Sequence, residues 1–172
     1  MTIYLGIDPG ITGAIAMIAY GTEDGQPRQG PVLVADLPYI GDEPDILGLW
    51  EILGGWSIRY NGHHPATSGS IVTIAIEYQA PFAAPGRAMG VTSAFKLGHD
   101  YGMLKAFAYT YGLRVLLPRP AAWKRSFGLT GKDKDASRLL AMQRWPGVDL
   151  SLKKHHGRAE ALLLAEWARL QP

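Results

Sequence analysis

The opening stretch Ile3–Ala19 constrains the fold more than any other, because two apolar runs in it flank a short turn. The first run ends at Asp8, the turn contains Pro9, Gly10 and Gly13, and the second apolar run follows at once. This pattern predicts a strand, a tight turn and an antiparallel return strand. The glycines would let a bulky anionic group approach the backbone beside a rigidly held carboxylate. The stretch therefore suggests phosphate chemistry, although Asp-Pro-Gly is also an ordinary turn sequence.

The absence of cysteine narrows the possible chemistry. Disulfides, zinc-thiolate sites and thiol nucleophiles are excluded, so any metal must be held by oxygen or imidazole ligands. A chain of 172 residues is long enough to bury a core, and we predict one domain over residues 1–172. Because no apolar run reaches the ~18 residues of a membrane span, we expect no membrane segment and a cytoplasmic location.

Charge is distributed unevenly along the chain. Residues 1–100 contain four Lys/Arg and ten Asp/Glu, a net charge of −6, whereas residues 101–172 contain thirteen and five, a net charge of +8. A basic second half indicates a surface that meets a polyanion such as nucleic acid. Helix surfaces are also often basic without such a partner, so charge alone leaves both interpretations open.

Hydrophobic periodicity predicts the order βββαβαβα. After the first hairpin, the polar segment Gly21–Gly30 is expected to be a flexible tip and Pro31–Leu37 a third strand. The other predicted elements are helices Asp45–Tyr60 and Thr92–Tyr111, strands Ile71–Ile76 and Leu113–Leu117, and helices Pro120–Arg125, Asp135–Arg144 and His156–Leu170, with loops at Tyr78–Gly90 and Gly128–Lys134. These elements predict an α/β fold with a five-stranded mixed sheet, three antiparallel strands followed by two parallel ones, flanked by helices.

Three acidic residues lie at the ends of predicted strands or near the start of a predicted helix. Glu77 ends the continuous β-branched strand, where a charge costs free energy unless a cation or solvent compensates it. Glu160 lies one turn inside the last helix, and the spacing of four residues puts His156 on the same face. Together with Asp8, these side chains could form one metal cluster. Two divalent cations about 3.5–4 Å apart would activate a water and stabilise the leaving oxygen in phosphodiester hydrolysis.

The same residues resemble those of a known family. The Asp8-Pro9-Gly10 turn, Glu77 at a strand end and an acid on the C-terminal helix resemble the ribonuclease H-like nucleases, specifically the RuvC-type Holliday junction resolvases in their bacteriophage-like branch. The resemblance spans nearly the whole chain. Its further segments are Leu97-Gly98 through Gly102, Pro120 to Lys124 (PAAWK), Lys132 to Arg138 (KDKDASR) and Gly157 to Ala165 (GRAEALLLA).

The resemblance implies a homodimeric endonuclease that nicks four-way DNA junctions symmetrically in the cytoplasm of a bacterial or phage-infected cell. It would use Mg²⁺ or Mn²⁺, two ions per active site, with Asp8, Glu77 and Glu160 as metal-binding catalytic acids. The family generally has a fourth acid near the start of the last helix, where this chain has His155 and His156. Helical spacing favours His156 as the catalytic metal ligand, although two histidines at an exposed helix start would also explain the sequence.

Basic and aromatic residues near the supposed site are candidates for DNA contacts. Phe82, in the loop after Glu77, could stack on or wedge between bases, or else pack beneath its own loop. The long helix with Phe95, Met103 and Phe107 could form the dimer surface, although core packing explains the same residues. The candidates for DNA binding are Phe82, Arg87, Lys124, Arg125, Lys132, Lys134, Arg138, Lys153, Lys154 and Arg158.

Two other functions remain open at this stage. A strand, an aspartate, a glycine turn and a second strand also open ATP-dependent phosphotransferases, but 172 residues are few for their second domain. A junction-binding protein with weak or no turnover is the other alternative, because a histidine in place of the fourth acid lowers the negative charge of the site.

Overall fold

The computed structural model describes residues 2–61, 72–80, 82–84 and 87–172, and for residues 27, 57–61, 82–84, 87, 88 and 134 it describes the backbone alone. Five strands form the central sheet: β1 (Thr2–Asp8), β2 (Ala14–Glu23), β3 (Gln26–Asp36), β4 (Val72–Ile76) and β5 (Arg114–Leu116). Their order across the sheet is β3-β2-β1-β4-β5. The first three strands pair antiparallel, β4 runs parallel to β1, and β5 runs parallel to β4. The predicted mixed five-stranded sheet is confirmed.

The segment predicted as a flexible hairpin tip is instead mostly strand. β2 and β3 continue through it and pair as far as Glu23 with Gln26, so only Asp24 and Gly25 form the turn. Both turn residues have positive φ, 52° for Asp24 and 76° for Gly25. Two-residue turns of this kind match the twist of paired strands, and they therefore let the polar residues extend the ribbon.

Within the described ranges, five helices flank the sheet: α1 (Ile46–Asn61), α2 (Val91–Thr110), α3 (Pro120–Ser126), α4 (Lys134–Arg144) and α5 (His156–Arg169), with a 3₁₀ turn at Lys153–His155 before α5. Their ends agree with the predicted ones to within one or two residues. Asp45 caps the start of α1, since the Gly48 N–H donates to its Oδ1 at 3.0 Å. In the part of the chain that the structure describes, the helices are too short or too polar to cross a bilayer.

Two short hairpins accompany the sheet. Tyr39–Ile40 pairs with Glu43–Pro44, and Phe82–Ala84 pairs with Arg87–Ala88. The second hairpin lies in the segment that was predicted to be a loop. The prediction missed it because a strand of two or three residues is too short to give an alternating pattern.

Alternate residues of β1 face two separate cores. Ile3, Leu5 and Ile7 belong to the core on the side of α1 and α2, whereas Tyr4 packs against the core on the side of α5. Period-two alternation is what a strand covered on both faces by helices requires. The sheet is thus the middle layer of three.

Gly6 lets α5 lie directly on β1. A Cβ atom at Gly6 would overlap the carbonyl oxygen of Ala161 and the backbone nitrogen of Ala165. Residues 161–166 of α5 are buried. Because the helix backbone rests on the strand, the start of α5 is brought to the end of β1 that carries Asp8.

Candidate active site

Asp8 and Glu77 leave neighbouring parallel strands at the same edge of the sheet. Ile7 of β1 is paired with Ile76 of β4, and the Glu77 N–H donates to the Ile7 carbonyl at 3.0 Å. The two acids therefore follow adjacent positions in the register, each at a strand end. Asp8 is partly exposed, whereas Glu77 is only 9% exposed.

The turn after Asp8 depends on glycine. The Gly13 N–H donates to the Gly10 carbonyl at 2.8 Å, and Gly10 has a φ of 128°, a conformation that L side chains rarely adopt. A Cβ at Gly13 would overlap the carbonyl oxygen of Asp8. The predicted strand, glycine turn and return strand are confirmed.

The first turn of α5 packs against this glycine turn. A Cβ at Gly157 would overlap the Thr12 carbonyl oxygen and would lie 3.3 Å from Oδ2 of Asp8. Glycine at this position therefore allows the helix to approach the Asp8 carboxylate. Glu160 follows three residues later, so the last helix contributes its acid to the same edge of the sheet.

Two side chains from other helices contact Glu160. Its Oε1 lies 3.0 Å from the Nζ of Lys124 on α3 and accepts a hydrogen bond from the Ser137 hydroxyl on α4 at 3.1 Å. The Glu160 side chain is 12% exposed and that of Lys124 is 32% exposed. The acid is therefore held in an ion pair at a partly buried site.

Glu77 is held by a buried indole. Trp123 is 0% exposed, and its Nε1–H donates to Oε1 of Glu77 at 2.9 Å. The Gln79 amide donates to the other oxygen at 3.3 Å. Burial raises the pKa of the Glu77 carboxyl, and the negative charge of Glu160 raises it further, while the Trp123 hydrogen bond and the Lys124 charge oppose the rise. Glu77 and Glu160 are thus electrostatic neighbours.

The donor set suits a hard divalent cation. Carboxylate oxygens are the ligands that Mg²⁺ prefers, and the mutual repulsion of Glu77 and Glu160 is relieved by a cation, here the Lys124 ammonium. As the side chains stand, no three His, Asp or Glu residues of the described ranges are close enough to hold one ion. The acids lie at one edge of the sheet, and the Glu160 carboxylate contacts the Lys124 ammonium.

The two histidines at the start of α5 have different surroundings. His155 is 5% exposed, and its Nδ1 lies 3.9 Å from Oδ1 of Asp149 and accepts from the Leu152 N–H at 3.5 Å. His156 is partly exposed, with its Nδ1 3.4 Å from the Lys153 carbonyl. His155 therefore faces the loop before α5.

Four of the predicted DNA-binding residues are exposed: Arg125, Lys132, Lys153 and Lys154. The side chains of Phe82, Arg87 and Lys134 lie outside the described residues. Lys124 contacts Glu160, as described above.

Arg138 and Arg158 already have acidic partners. Arg138 is 8% exposed and donates to Asp135 at 2.7 Å and to the Leu150 carbonyl at 2.9 Å, so its guanidinium joins α4 to the following loop. Arg158 forms a bidentate pair with Asp36 at 2.6 and 2.7 Å. Because Asp36 pairs with Ala14 at the end of β3, this ion pair lies along the same sheet edge as Asp8.

The predicted dimer residues of α2 are divided between the core and the surface. Phe107 is 4% exposed and belongs to the core, whereas Phe95 is 75% exposed. Met103 lines an apolar groove of about 500 Å³ between α1 and α2, together with Leu47 and Trp50.

Sequence reasoning missed four residues that position the acids. Gly6 was signalled by its place inside an apolar strand, since such a glycine often marks close approach of another backbone. Gly157 and Trp123 lie in the segments GRAEALLLA and PAAWK, but their contacts depend on the tertiary fold. The sequence carries no signal for the Ser137 hydrogen bond.

Comparison with known proteins supports the resemblance to RuvC-type resolvases. No family model matches the chain. A segment of 86 residues is 41% identical to the Holliday junction resolvase MOC1, chloroplastic, of Chlamydomonas reinhardtii. The match spans 48% of this chain and only 9% of that relative.

Solved structures of RuvC share the fold. The Thermus thermophilus RuvC structure superposes with a TM-score of 0.57 at 20% identity, covering 95% of this chain and 91% of that chain. T. thermophilus RuvC in complex with Holliday junction substrate gives a TM-score of 0.52 at 18% identity, covering 96% and 90%. The chain therefore has the predicted ribonuclease H-like fold of RuvC, while its place in the bacteriophage-like branch stays a prediction.

Proposed function

We propose that this chain is a RuvC-type resolvase, a structure-selective endonuclease that cuts four-way or other branched DNA. Residues 1–172 would form a single nuclease domain. The observation that carries the proposal is the convergence of Asp8, Glu77 and the Glu160 helix at one edge of a RuvC-like sheet. The 41% identity to a resolvase over half of the chain supports the same function.

Asp8, Glu77 and Glu160 would hold two Mg²⁺ or Mn²⁺ ions, with His156 as a further ligand. The bound metals would supply an activated water and stabilise charge on the leaving oxygen. Lys124 would release Glu160 when Glu160 binds a metal ion. The Lys124 ammonium could then donate to a phosphate oxygen. Burial of His155 against the Asp149 loop favours His156 as the histidine that faces the metal.

Branched DNA would lie on the basic second half of the chain. The exposed residues Arg125, Lys132, Lys153 and Lys154 would neutralise phosphates without reading base sequence. Contacts by Arg87 and Lys134, and stacking of Phe82 at the branch point, stay predictions.

A homodimer would place two active sites on opposing strands. The exposed Phe95 and the apolar groove between α1 and α2 support an interface on this side of the sheet. Gly98 and Gly102 of α2 add support, because a Cβ at either position would meet no described atom within 4 Å and a second backbone has room to approach. A cytoplasmic location in a bacterial or phage-infected cell stays a prediction, since the algal relative is described as chloroplastic.

A labelled synthetic four-way junction and a linear duplex of the same sequence test the proposal. With Mg²⁺ or Mn²⁺ the protein should nick the junction and spare the duplex, and EDTA should stop cleavage. Asp8→Asn should abolish cleavage while junction binding persists, whereas Asp24→Asn at the exposed hairpin tip should cut normally. Equal cutting of both DNAs, or full activity of Asp8→Asn, would contradict the proposal.

The Lys124 ion pair favours a second candidate, a junction-binding protein with weak turnover. Lys124 already neutralises Glu160, and a histidine stands where the family has an acid. Tight junction binding without cleavage in either metal would support this alternative over the nuclease.

A further inference from the structure

Trp123 contributes more to the site than apolar volume. It is completely buried in the core between the sheet and α5, yet its one polar atom donates to Glu77 at 2.9 Å. An indole N–H can only donate and cannot lose its proton at ordinary pH. The hydrogen bond therefore fixes Oε1 of Glu77 as an acceptor facing the indole.

The second donor to Glu77 makes the orientation specific. Trp123 donates to Oε1, and Gln79 donates to Oε2 at 3.3 Å, so each oxygen has its own partner. At 9% exposure, Glu77 has little water to replace a lost partner. Removal of the indole N–H would take away the partner that Oε1 has among the described residues, and a buried carboxylate oxygen without a donor is costly.

Lys124 and Trp123 contact the two acids in different ways. Lys124 follows Trp123 on α3 and pairs with Glu160, so one helix contacts both acids. A cation that binds the acids would repel the Lys124 ammonium, whereas the neutral indole N–H carries no net charge to be repelled. The Trp123 contact can therefore persist while a metal is bound, and the Lys124 contact cannot persist unchanged.

We infer that Trp123 is a positioning residue, which holds the Glu77 carboxylate in one orientation for a divalent cation. The inference rests on the proposed function, because it takes Glu77 as a metal ligand. Side chains that hydrogen-bond to metal ligands typically account for about 10–100-fold in metal affinity or activity.

Trp123→Phe tests the inference, with Trp145→Phe as a matched control. Both tryptophans are buried in the same core, and both substitutions replace an indole with a phenyl ring. Free Mn²⁺ can be counted by electron paramagnetic resonance as protein is titrated. We expect Trp123→Phe to bind Mn²⁺ about 10-fold more weakly and Trp145→Phe to bind it within about twofold of the wild-type protein.

Cleavage kinetics give a second readout. Because Trp123 is completely buried and does not reach DNA, its substitution should lower kcat at limiting Mn²⁺ and leave KM for the junction unchanged. Unchanged Mn²⁺ affinity in Trp123→Phe, or an equal loss in Trp145→Phe, would overturn the inference.

A comparison of the metal-free wild-type protein with Glu77→Gln tests the hydrogen bond if Trp123→Phe fails to fold. In a proton–nitrogen correlation spectrum, Glu77→Gln should move the Trp123 indole proton upfield, because a neutral amide oxygen is a weaker acceptor than a carboxylate. The other four indole signals should stay in place. An unmoved Trp123 signal would overturn the inference.

These outcomes separate the inference from the proposed function. A wild-type protein that binds Mn²⁺ but leaves every branched DNA uncut would refute the nuclease function, and the affinity comparison would still decide the role of Trp123. A wild-type protein that cuts junctions, with unchanged affinity in Trp123→Phe, would refute the inference alone. A wild-type protein that binds no Mn²⁺ would refute both.

Discussion

The ammonium of Lys124 lies 3.0 Å from Oε1 of Glu160, at a site where Glu160 also raises the pKa of Glu77. This lysine therefore supplies the positive charge that keeps two neighbouring carboxylates together in the absence of a metal. A divalent cation bound by the same acids would compete with it for Glu160.

Lys124→Met should destabilise the metal-free protein, because the charge that offsets Glu77 and Glu160 is removed. We expect a loss of about 1 kcal/mol, since the pair is partly exposed, and a fall in Tm of ~2–4 °C. Added Mn²⁺ should raise the Tm of the variant more than that of the wild-type protein. Thermal unfolding in EDTA and in Mn²⁺ measures both effects.

Lys132→Met is the matched control for this experiment. Lys132 is an exposed lysine in the loop between α3 and α4, and its removal should change Tm in neither buffer. An equal Mn²⁺-dependent rise in Tm for Lys124→Met and the wild-type protein would show that Lys124 does not compete with metal.

Gly6→Ala should severely destabilise the fold. The new Cβ would overlap backbone atoms of Ala161 and Ala165, and backbone cannot move aside as a flexible side chain can. We expect a loss of about 3 kcal/mol or more in urea unfolding. Gly55→Ala in α1 is the control, because its Cβ would meet nothing within 4 Å and should be neutral or stabilise by ~0.5–1 kcal/mol. Wild-type stability of Gly6→Ala would mean that α5 does not rest on β1 as described.

The strand ends that carry the acids were predictable from the sequence because they depend on local patterns. An apolar run that stops at Asp8, or at Glu77, identifies a strand end without any knowledge of the neighbouring strand. The placement of Glu160 one turn into the last helix was predictable for the same reason. What the pattern could not provide was the partner of each acid.

Those partners are tertiary contacts between distant segments. The Trp123 hydrogen bond to Glu77 joins residues 46 positions apart, and no periodicity relates them. The surroundings of Arg138 were missed for a similar reason, since its charge is visible in the sequence but its burial against Asp135 and Leu150 is not. The hairpin tip was mispredicted because polar composition suggested a loop, whereas turn geometry allowed the strands to continue.

The Asp36–Arg158 pair should make stability depend on pH in acid. The Arg158 hydrogen bonds hold the pKa of the Asp36 carboxyl below its ordinary value of 3.8. A carboxyl with a lowered pKa in the folded state stabilises that state above its unfolded pKa, and the contribution is lost as pH falls through the folded value. Asp36→Asn should therefore reduce the free energy of unfolding at pH 7, and the difference from the wild-type protein should shrink below about pH 4.

Urea unfolding of both proteins between pH 7 and pH 3 measures this difference. Asp24→Asn serves as the control, because Asp24 is exposed at the hairpin tip. Its difference from the wild-type protein should stay small across the range. If the difference in free energy of unfolding between Asp36→Asn and the wild-type protein stays constant down to pH 3, the ionised Asp36 carboxylate does not stabilise the fold through its pair with Arg158.

His156→Asp should raise cleavage supported by Mg²⁺ relative to cleavage supported by Mn²⁺. Imidazole is a good ligand for Mn²⁺ but a poor one for Mg²⁺, which prefers oxygen and gains from added negative charge. His156→Asn is the matched control, because it offers an oxygen without the negative charge. Its ratio of Mg²⁺-supported to Mn²⁺-supported cleavage should be lower than that of His156→Asp. Single-turnover cleavage of a four-way junction over a range of each metal gives the ratio. If His156→Asp leaves that ratio unchanged while Asp8→Asn abolishes cleavage, then His156 does not contact the metals, and the acids Asp8, Glu77 and Glu160 hold them without it.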